Sequence, residues 1–175
     1  MLRVIAMALL LVPSAASGSG SPSAMRTQLV VPIVQQTPQR CGQAALEMVL
    51  QYYGAGHEAQ TEAERAYDPI LRGSLVTDLA LAAQRAGFAS RVATLTMDSL
   101  VVLLESGVPP ILLYQNGRPP FTVAHYGVLT GWDPELAAFT LNEGRAAPRK
   151  ISATDLARRW RTAGSLALIV QRVQP

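Results

Sequence analysis

The stretch Val34–Gly54, VQQTPQRCGQAALEMVLQYYG, decides how the chain is read, because it sets the one cysteine at the mouth of a strongly patterned helix. After Cys41 and Gly42, apolar residues recur at Ala45, Met48, Val49, Tyr52 and Tyr53, the three-and-four spacing of a buried helix face. Gly54 and Gly56 end it. Upstream, Thr37-Pro38 breaks regular structure and leaves Cys41 in the first turn, where unpaired backbone N–H groups and the helix dipole favour an anion. A thiolate suits that place, so Cys41 is a candidate nucleophile. The other reading of a lone cysteine is a small buried apolar residue.

The first seventeen residues, MLRVIAMALLLVPSAAS, carry one basic residue at Arg3, an apolar run from Val4 to Val12, and then small residues with Pro13. They read as a secretory signal peptide (1–17), too short for a membrane span, with cleavage after Ala16 or Ser17. Residues 18–27 read as a flexible lead-in. A mature chain of about 155 residues is enough for one core and hardly for two domains, so 28–175 is taken as a single domain. An apolar content of 49% makes it globular. An exported chain with one cysteine makes no internal disulfide, and the free thiol calls for a reason, catalysis being one.

The formal charge is +3, or +2 once Arg3 leaves with the signal. The excess gathers in the last stretch of the chain, at Arg145, Arg149, Lys150, Arg158, Arg159, Arg161 and Arg172, against the single acid Asp155. It reads as a solvated helix face, the other reading being an anionic partner such as an acidic peptide or an envelope surface. Without aromatic interleaving or a finger pattern, no nucleic acid partner is expected.

In chain order, Gln28–Val34 with its internal Pro32 reads as an edge strand or an extended lead into the cysteine loop. Helices are expected after Cys41, over Glu58–Tyr67, over Thr77–Ala86 with Thr77 or Asp78 as cap, and over Met97–Ser106, with a strand at Phe88–Leu95. Strands come next at Pro110–Tyr114, Ala124–Thr130 and Ala137–Leu141, separated by Asn116-Gly117, Pro119-Pro120 and Asp133-Pro134. Ser152–Trp160 reads as a helix capped by Ser152, and Ser165–Val173 as a closing strand. Helices first and an antiparallel sheet second give the α+β class.

A thiolate nucleophile needs a base for its proton, a group to orient that base, and donors for the oxyanion. Of the two histidines, His57 sits in an exposed-looking loop, whereas His125 opens the apolar run HYGVLTGW, where a strand can hold its ring. Asp133 or Asn142 could orient the imidazole. A hairpin returns Asn142 toward His125 and leaves Asp133 at its far tip, which favours Asn142. Its side-chain oxygen accepts an N–H without adding charge. The Cys41 backbone N–H is one oxyanion donor, and Gln35, Gln36 or Gln39 offers a second.

With those residues in place, VPIVQQTPQRCGQAALEMVLQYYG, HYGVLTGWD and LNEG together resemble the papain-like cysteine peptidases related to the bacteriocin-processing, double-glycine-leader peptidase domain. That family has a glutamine shortly before a Cys-Gly helix, a His-Tyr strand, and an Asp or Asn further on. The resemblance implies a papain-like fold, with the family's oxyanion glutamine on Gln36, Gln35 competing, and its catalytic positions on Cys41, His125 and Asn142. Asn142 replaces the commoner Asp, and Gln43 stands where the family often has proline. There is no phosphate-binding Gly-rich loop and no multi-span region, so the chain is closer to the stand-alone exported relatives than to the transporter-fused form. The expectation is a secreted or periplasmic peptidase acting on a peptide or protein, with no cofactor, no metal and no integral membrane segment after signal cleavage. The rival readings are a non-catalytic peptide-binding module of the same fold and an acyl-transferase or amidase using the same triad.

Overall fold

The computed structural model describes residues 25–173, so the expected signal peptide and most of the lead-in lie outside the described residues. The elements run β1 (Thr27–Gln28), α1 (Cys41–Tyr52), α2 (His57–Glu64), α3 (Val76–Arg85), β2 (Phe88–Thr94), α4 (Met97–Glu105), β3 (Ile111–Arg118), β4 (Phe121–Asp133), β5 (Ala138–Asn142), β6 (Arg149–Ser152), α5 (Ala153–Arg161) and β7 (Leu166–Arg172). Seven strands form one sheet in the order β2-β7-β3-β4-β5-β6, every pairing antiparallel, with β1 added to β4. This is the expected α+β class.

Both faces of the sheet are covered. Leu46, Val49 and Leu50 of α1 pack with Ile111, Tyr126, Val128, Leu168 and Val170, joined by Leu79 and Ala83 of α3. On the other face Leu100 and Leu104 of α4, with Leu156 and Trp160 of α5, pack on Leu112, Tyr114, Leu129, Leu141 and Ala167. Neighbours such as Ile111 and Leu112 go to opposite cores because successive strand side chains alternate. That explains why residues 126–131 are buried without interruption where a one-sided strand would alternate.

Several boundaries differ from the sequence reading. The lead segment 29–34 forms no strand; the ladder to β4 covers Thr27–Gln28 against Trp132 and Gly131, and Leu29 N–H adds one bond to the Thr130 carbonyl at 2.7 Å. A Cβ on Gly131 would lie 2.8 Å from the Thr27 carbonyl oxygen, so glycine lets this short strand approach. Asn116-Gly117 is not a turn: β3 runs through it to Arg118, which pairs with Phe121, and the loop is Pro119-Pro120. Helix α3 starts at Val76 with Leu75 at its N-cap, ahead of the Thr77 or Asp78 expected, and no side chain caps it. Ser152 does cap α5, accepting from the Asp155 N–H at 3.2 Å. Strand β6 was not anticipated, and it places Arg149 and Lys150 on the sheet rather than on a solvated helix face. Among the described residues, no helix is long and apolar enough to cross a membrane.

Two contacts lock the frame. Asp133, at the end of β4, is buried and bonded by Arg26 and by Lys150, the latter at 3.0 Å. The Arg26 hydrogen bond is the main cause that holds its carboxyl down at about 2, below the ordinary 3.8. Its stabilising contribution is complete above that ordinary value and is lost as pH falls toward about 2. In acid titrations followed by circular dichroism, stability should therefore fall between about pH 4 and 2, and Asp133→Asn should flatten that part of the curve.

The second lock is Gly42, where a Cβ would meet Leu79 Cδ1 and both Cβ and Oγ of Ser74 at 3.2 Å. Ser74 cannot yield freely, since Gln43 Nε2 donates to its Oγ at 2.7 Å and Tyr126 donates to its carbonyl at 3.1 Å. Overpacking costs about 1–3 kcal/mol and outweighs the helix-propensity gain of up to ~1 kcal/mol for alanine. Gly42→Ala should lower the urea midpoint by the equivalent of ~1 kcal/mol.

Candidate functional site

A tight turn delivers the chain into α1. Arg40 N–H donates to the Thr37 carbonyl at 3.1 Å, and Gln39 takes a left-handed φ of 68°, which a non-glycine residue holds only when its surroundings require it. Those surroundings are present. Gln39 Oε1 accepts from Arg72 Nε at 3.2 Å and from the Tyr67 hydroxyl at 3.4 Å, while the Arg40 guanidinium lies 3.7 Å over the Tyr67 ring and pairs with Glu64. Among the described residues no side chain caps α1, so the N–H groups of its first turn stay available around the half-buried Cys41.

A cavity of about 850 Å³ opens at this helix start. Cys41, Gln36 and Gln39 line one part, the segment 71–77 a second, and Leu113, Leu166 and residues 123–126 of the sheet a third. Cys41 and His125 thus face the same space, although the sequence separates them widely. The β5 ladder on β4 stops at Val128, opposite Asn142, whereas β3 pairs with β4 all the way to Phe121. Residues 121–127 of β4 therefore have β3 on one edge and, among the described residues, no strand on the other.

His125 is half-buried, pairs with Tyr114 across the β3–β4 ladder, and meets the edge-on Tyr114 ring at 5.6 Å between centroids. Burial pushes its imidazole below the ordinary value. The Glu143 carboxylate and a hydrogen bond with the Glu143 backbone oppose that, while Arg145 and Arg149 add to it. Tyr126 is also pushed well above its usual range by burial, then by Cys41 and Asp78, so its hydroxyl stays a donor to Ser74.

Gln36 is fixed from the turn that follows β5. Its N–H donates to the Gly144 carbonyl at 2.9 Å, and a Cβ on Gly144 would lie 3.0 Å from Gln36 Cβ. Gly144 has φ of +69°, which glycine adopts without strain. Asn142 Oδ1 accepts from the Gly144 N–H at 3.3 Å, and Asn142 Nδ2 is buried without a protein partner among the described residues.

The remaining candidates fall elsewhere. Gln35 is exposed and outside the cavity wall, and Gln39 lines the wall with its oxygen already engaged. His57 begins α2 and is exposed. Asp133 lies eight residues along β4 from His125, roughly 26 Å at strand rise, and is bound to Arg26 and Lys150.

Sequence reasoning missed the buried group beside the site. Glu143 is 3% exposed, accepts from the Tyr114 hydroxyl, and is held by Arg149 through Nε at 2.5 Å and Nη2 at 3.1 Å. The available signal was a lone acid just ahead of Arg145, Arg149 and Lys150. It also missed the wall segment 71–77, whose Arg72 and Ser74 are held only by long-range contacts.

No curated protein matches the chain. Among solved structures, a putative C39-like peptidase from Bacillus anthracis is 16% identical over 86% of this chain and 100% of its own, with a TM-score of 0.68. The peptidase domain of Streptococcus ComA, a bi-functional ABC transporter involved in quorum sensing, is 20% identical over 81% of this chain and 98% of its own, with a TM-score of 0.65. A double glycine motif protease from an AMS/PCAT transporter, solved with its leader peptide, is 19% identical over 85% of this chain and 99% of its own, with a TM-score of 0.64. At these identities the likeness carries the fold, which is that of the papain-like C39 peptidase domains. The description of the Peptidase_C39 like family matches residues 28–168. The turn into α1, the β4 strand and the turn after β5 all fall inside that match, and the chain belongs to the Peptidase_C39-like family.

Proposed function

We propose that the chain is an exported cysteine peptidase that cleaves a peptide bond with Cys41 as nucleophile and His125 as base. One observation carries this reading: Cys41, at an uncapped helix start, and His125, on a rigid strand, line a single cavity together with Gln36. Export is inferred from the N-terminal sequence alone.

In this scheme the Cys41 thiol gives its proton to His125 and the sulfur attacks the peptide carbonyl. The oxyanion is met by the Gln36 side-chain amide and the Cys41 backbone N–H, donors aimed before the charge develops. His125 returns the proton to the leaving amine, and the thioester is then hydrolysed by water that His125 activates. Asn142 is the residue assigned to orient the ring through its side-chain oxygen, which among the described residues accepts the Gly144 N–H.

The cavity also speaks to what enters. Its walls include Leu71, Leu75, Val76, Leu113, Val123 and Leu166, and Arg72 is the one permanently charged side chain among them. An extended peptide with apolar, non-basic side chains suits that lining, and its backbone can pair along the open edge of β4. The leader peptide bound to the double glycine motif protease supports a peptide as the class of substrate.

Three measurements test the assignment. Iodoacetamide should alkylate Cys41 in the folded chain and abolish peptide cleavage. Cys41→Ala should abolish cleavage of a peptide library under reducing conditions and leave the circular dichroism spectrum unchanged. An inert thiol would favour the binding-module reading, and transfer to an added amine in place of hydrolysis would favour the acyl-transferase. Gln36→Ala should lower kcat by about 10²–10³-fold with little change in KM, as loss of one oxyanion donor does elsewhere. An unchanged kcat would remove Gln36 from the role.

A further inference from the structure

Four non-glycine residues among those described hold a left-handed backbone, and two of them, Gln39 at φ 68° and Arg72 at φ 52°, are joined by their side chains. Arg72 Nε donates to Gln39 Oε1 at 3.2 Å, and both residues line the cavity that Cys41 and His125 share. Glycine would take either backbone without strain, but it could not make this bond.

The two partners are not equally fixed. Arg72 belongs to a small loop whose neck is closed by the Asp68 N–H on the Gly73 carbonyl at 2.8 Å and the Gly73 N–H on the Asp68 carbonyl at 3.2 Å. Inside the loop the Asp68 carboxylate accepts from the Ile70 and Leu71 N–H groups, at 2.7 and 3.0 Å. Two residues beyond Arg72, Ser74 is tied to α1 through Gln43 and to β4 through Tyr126. Arg72 is thus held by its own loop.

Gln39 depends on others. In Thr37-Pro38-Gln39-Arg40, closed by the Arg40 N–H on the Thr37 carbonyl at 3.1 Å, it stands third, after proline. Proline second and a left-handed residue third is the type II pattern, whose third place ordinarily takes glycine or asparagine. The type I form, with negative φ at the third residue, is open to the same four residues, and conversion rotates the Pro38–Gln39 peptide. The turn also spans the interval between Gln36, whose N–H is pinned to the Gly144 carbonyl, and the Cys41 N–H.

We propose that Arg72 is a positioning residue: through Gln39 it holds this turn in its left-handed form and so keeps the Gln36 amide and the Cys41 N–H at the spacing the oxyanion needs. This rests on the reading of Cys41 as nucleophile and Gln36 as oxyanion donor. Tyr67 assists from the same side, since its hydroxyl reaches Gln39 Oε1 at 3.4 Å and its ring lies under the Arg40 guanidinium. The effect belongs to kcat, because donors aimed at the oxyanion act on charge that develops only as the carbonyl is attacked.

The test is a cycle of variants assayed on a peptide that the native chain cleaves. Arg72→Ala should lower kcat about tenfold, the shift that release of one left-handed residue allows, with KM little changed. Gln39→Met, of similar length but without the acceptor, should lose as much, and the double variant no more than either alone. In a Gln39→Gly background the left-handed form needs no holding, so Arg72→Ala should cost nothing further there. A direct contact of Arg72 with substrate would instead raise KM and persist beside glycine. That result would overturn the proposal, as would an unchanged kcat in Arg72→Ala or a Gln39→Met loss far beyond that of Arg72→Ala. Should Arg72→Ala fail to fold, Gln39→Met decides by the same kcat criterion. A reading without turnover separates this link from the peptidase assignment. The NOE between the Gln39 amide and its own Hα proton, strong in a left-handed residue, should weaken in Arg72→Ala, and an unmoved NOE rejects the link. Absent turnover with a weakened NOE rejects the peptidase reading and supports the Arg72–Gln39 link.

Discussion

The point at which β5 parts from β4 governs the geometry of the site. A backbone N–H or C=O in a buried strand must find a partner, so a strand that is paired on one edge only has to turn its other edge toward solvent or toward something that replaces it. From Val128 to Asp133, β4 is matched by β5, and β1 joins it at Gly131 and Trp132. From Phe121 to Gly127 it has, among the described residues, β3 alone. His125 falls in this second part, near the border with the first. It is held by the ladder and by the Tyr114 ring, yet it remains reachable from the cavity. A longer β5 would have covered that edge, and a shorter one would have left the ring on a frayed hairpin.

The other wall is fixed by a small set of contacts that converge on Ser74. Its hydroxyl takes the Gln43 amide from α1, its carbonyl takes the Tyr126 hydroxyl from β4, and its side chain fills the place that a Cβ on Gly42 would need. Helix, strand and loop are thus tied at one residue just behind Cys41. The Gln39 backbone strain sits on the far side of the same turn, where Arg72 and Tyr67 hold it. Such strain persists only where neighbouring contacts over-determine the conformation. The turn before Cys41 is therefore set by the wall segment as much as by its own sequence.

How much of this is legible in the sequence depends on whether the determining contact is local. Helix α1, its glycine stop and the Ser152 cap are written in residues a few positions apart, and they appear as expected. Cys41 and His125 stand out by chemistry and by the elements that carry them. The end of β3 was misplaced because Asn116-Gly117 is a strong local turn signal, whereas the Arg118–Phe121 pairing overrides it. Strand β6 was missed because four residues, RKIS, carry almost no period of their own and exist by pairing with β5. Glu143 could not be singled out for a like reason. Its burial is imposed by Tyr114 from another strand and Arg149 from a third, and neither neighbour is visible from Asn-Glu-Gly alone.

The basic residues that looked like a solvated face repeat one device on two sides of the sheet. Arg149 and Lys150 are adjacent on β6, so their side chains leave in opposite directions, one to Glu143 beside the site and one to Asp133 at the end of β4. With Glu143 already buried and charged, an aspartate at 142 would set a second carboxylate on the neighbouring residue. Like charges that close push one of them toward its protonated form. Asparagine at 142 avoids this conflict. It keeps an oxygen for the Gly144 N–H in the turn whose Gly144 carbonyl accepts the Gln36 N–H, and leaves the negative charge to a residue held by two arginines and a tyrosine. A neutral residue at 142 and an ion-paired one at 143 thus keep a single carboxylate at the end of β5.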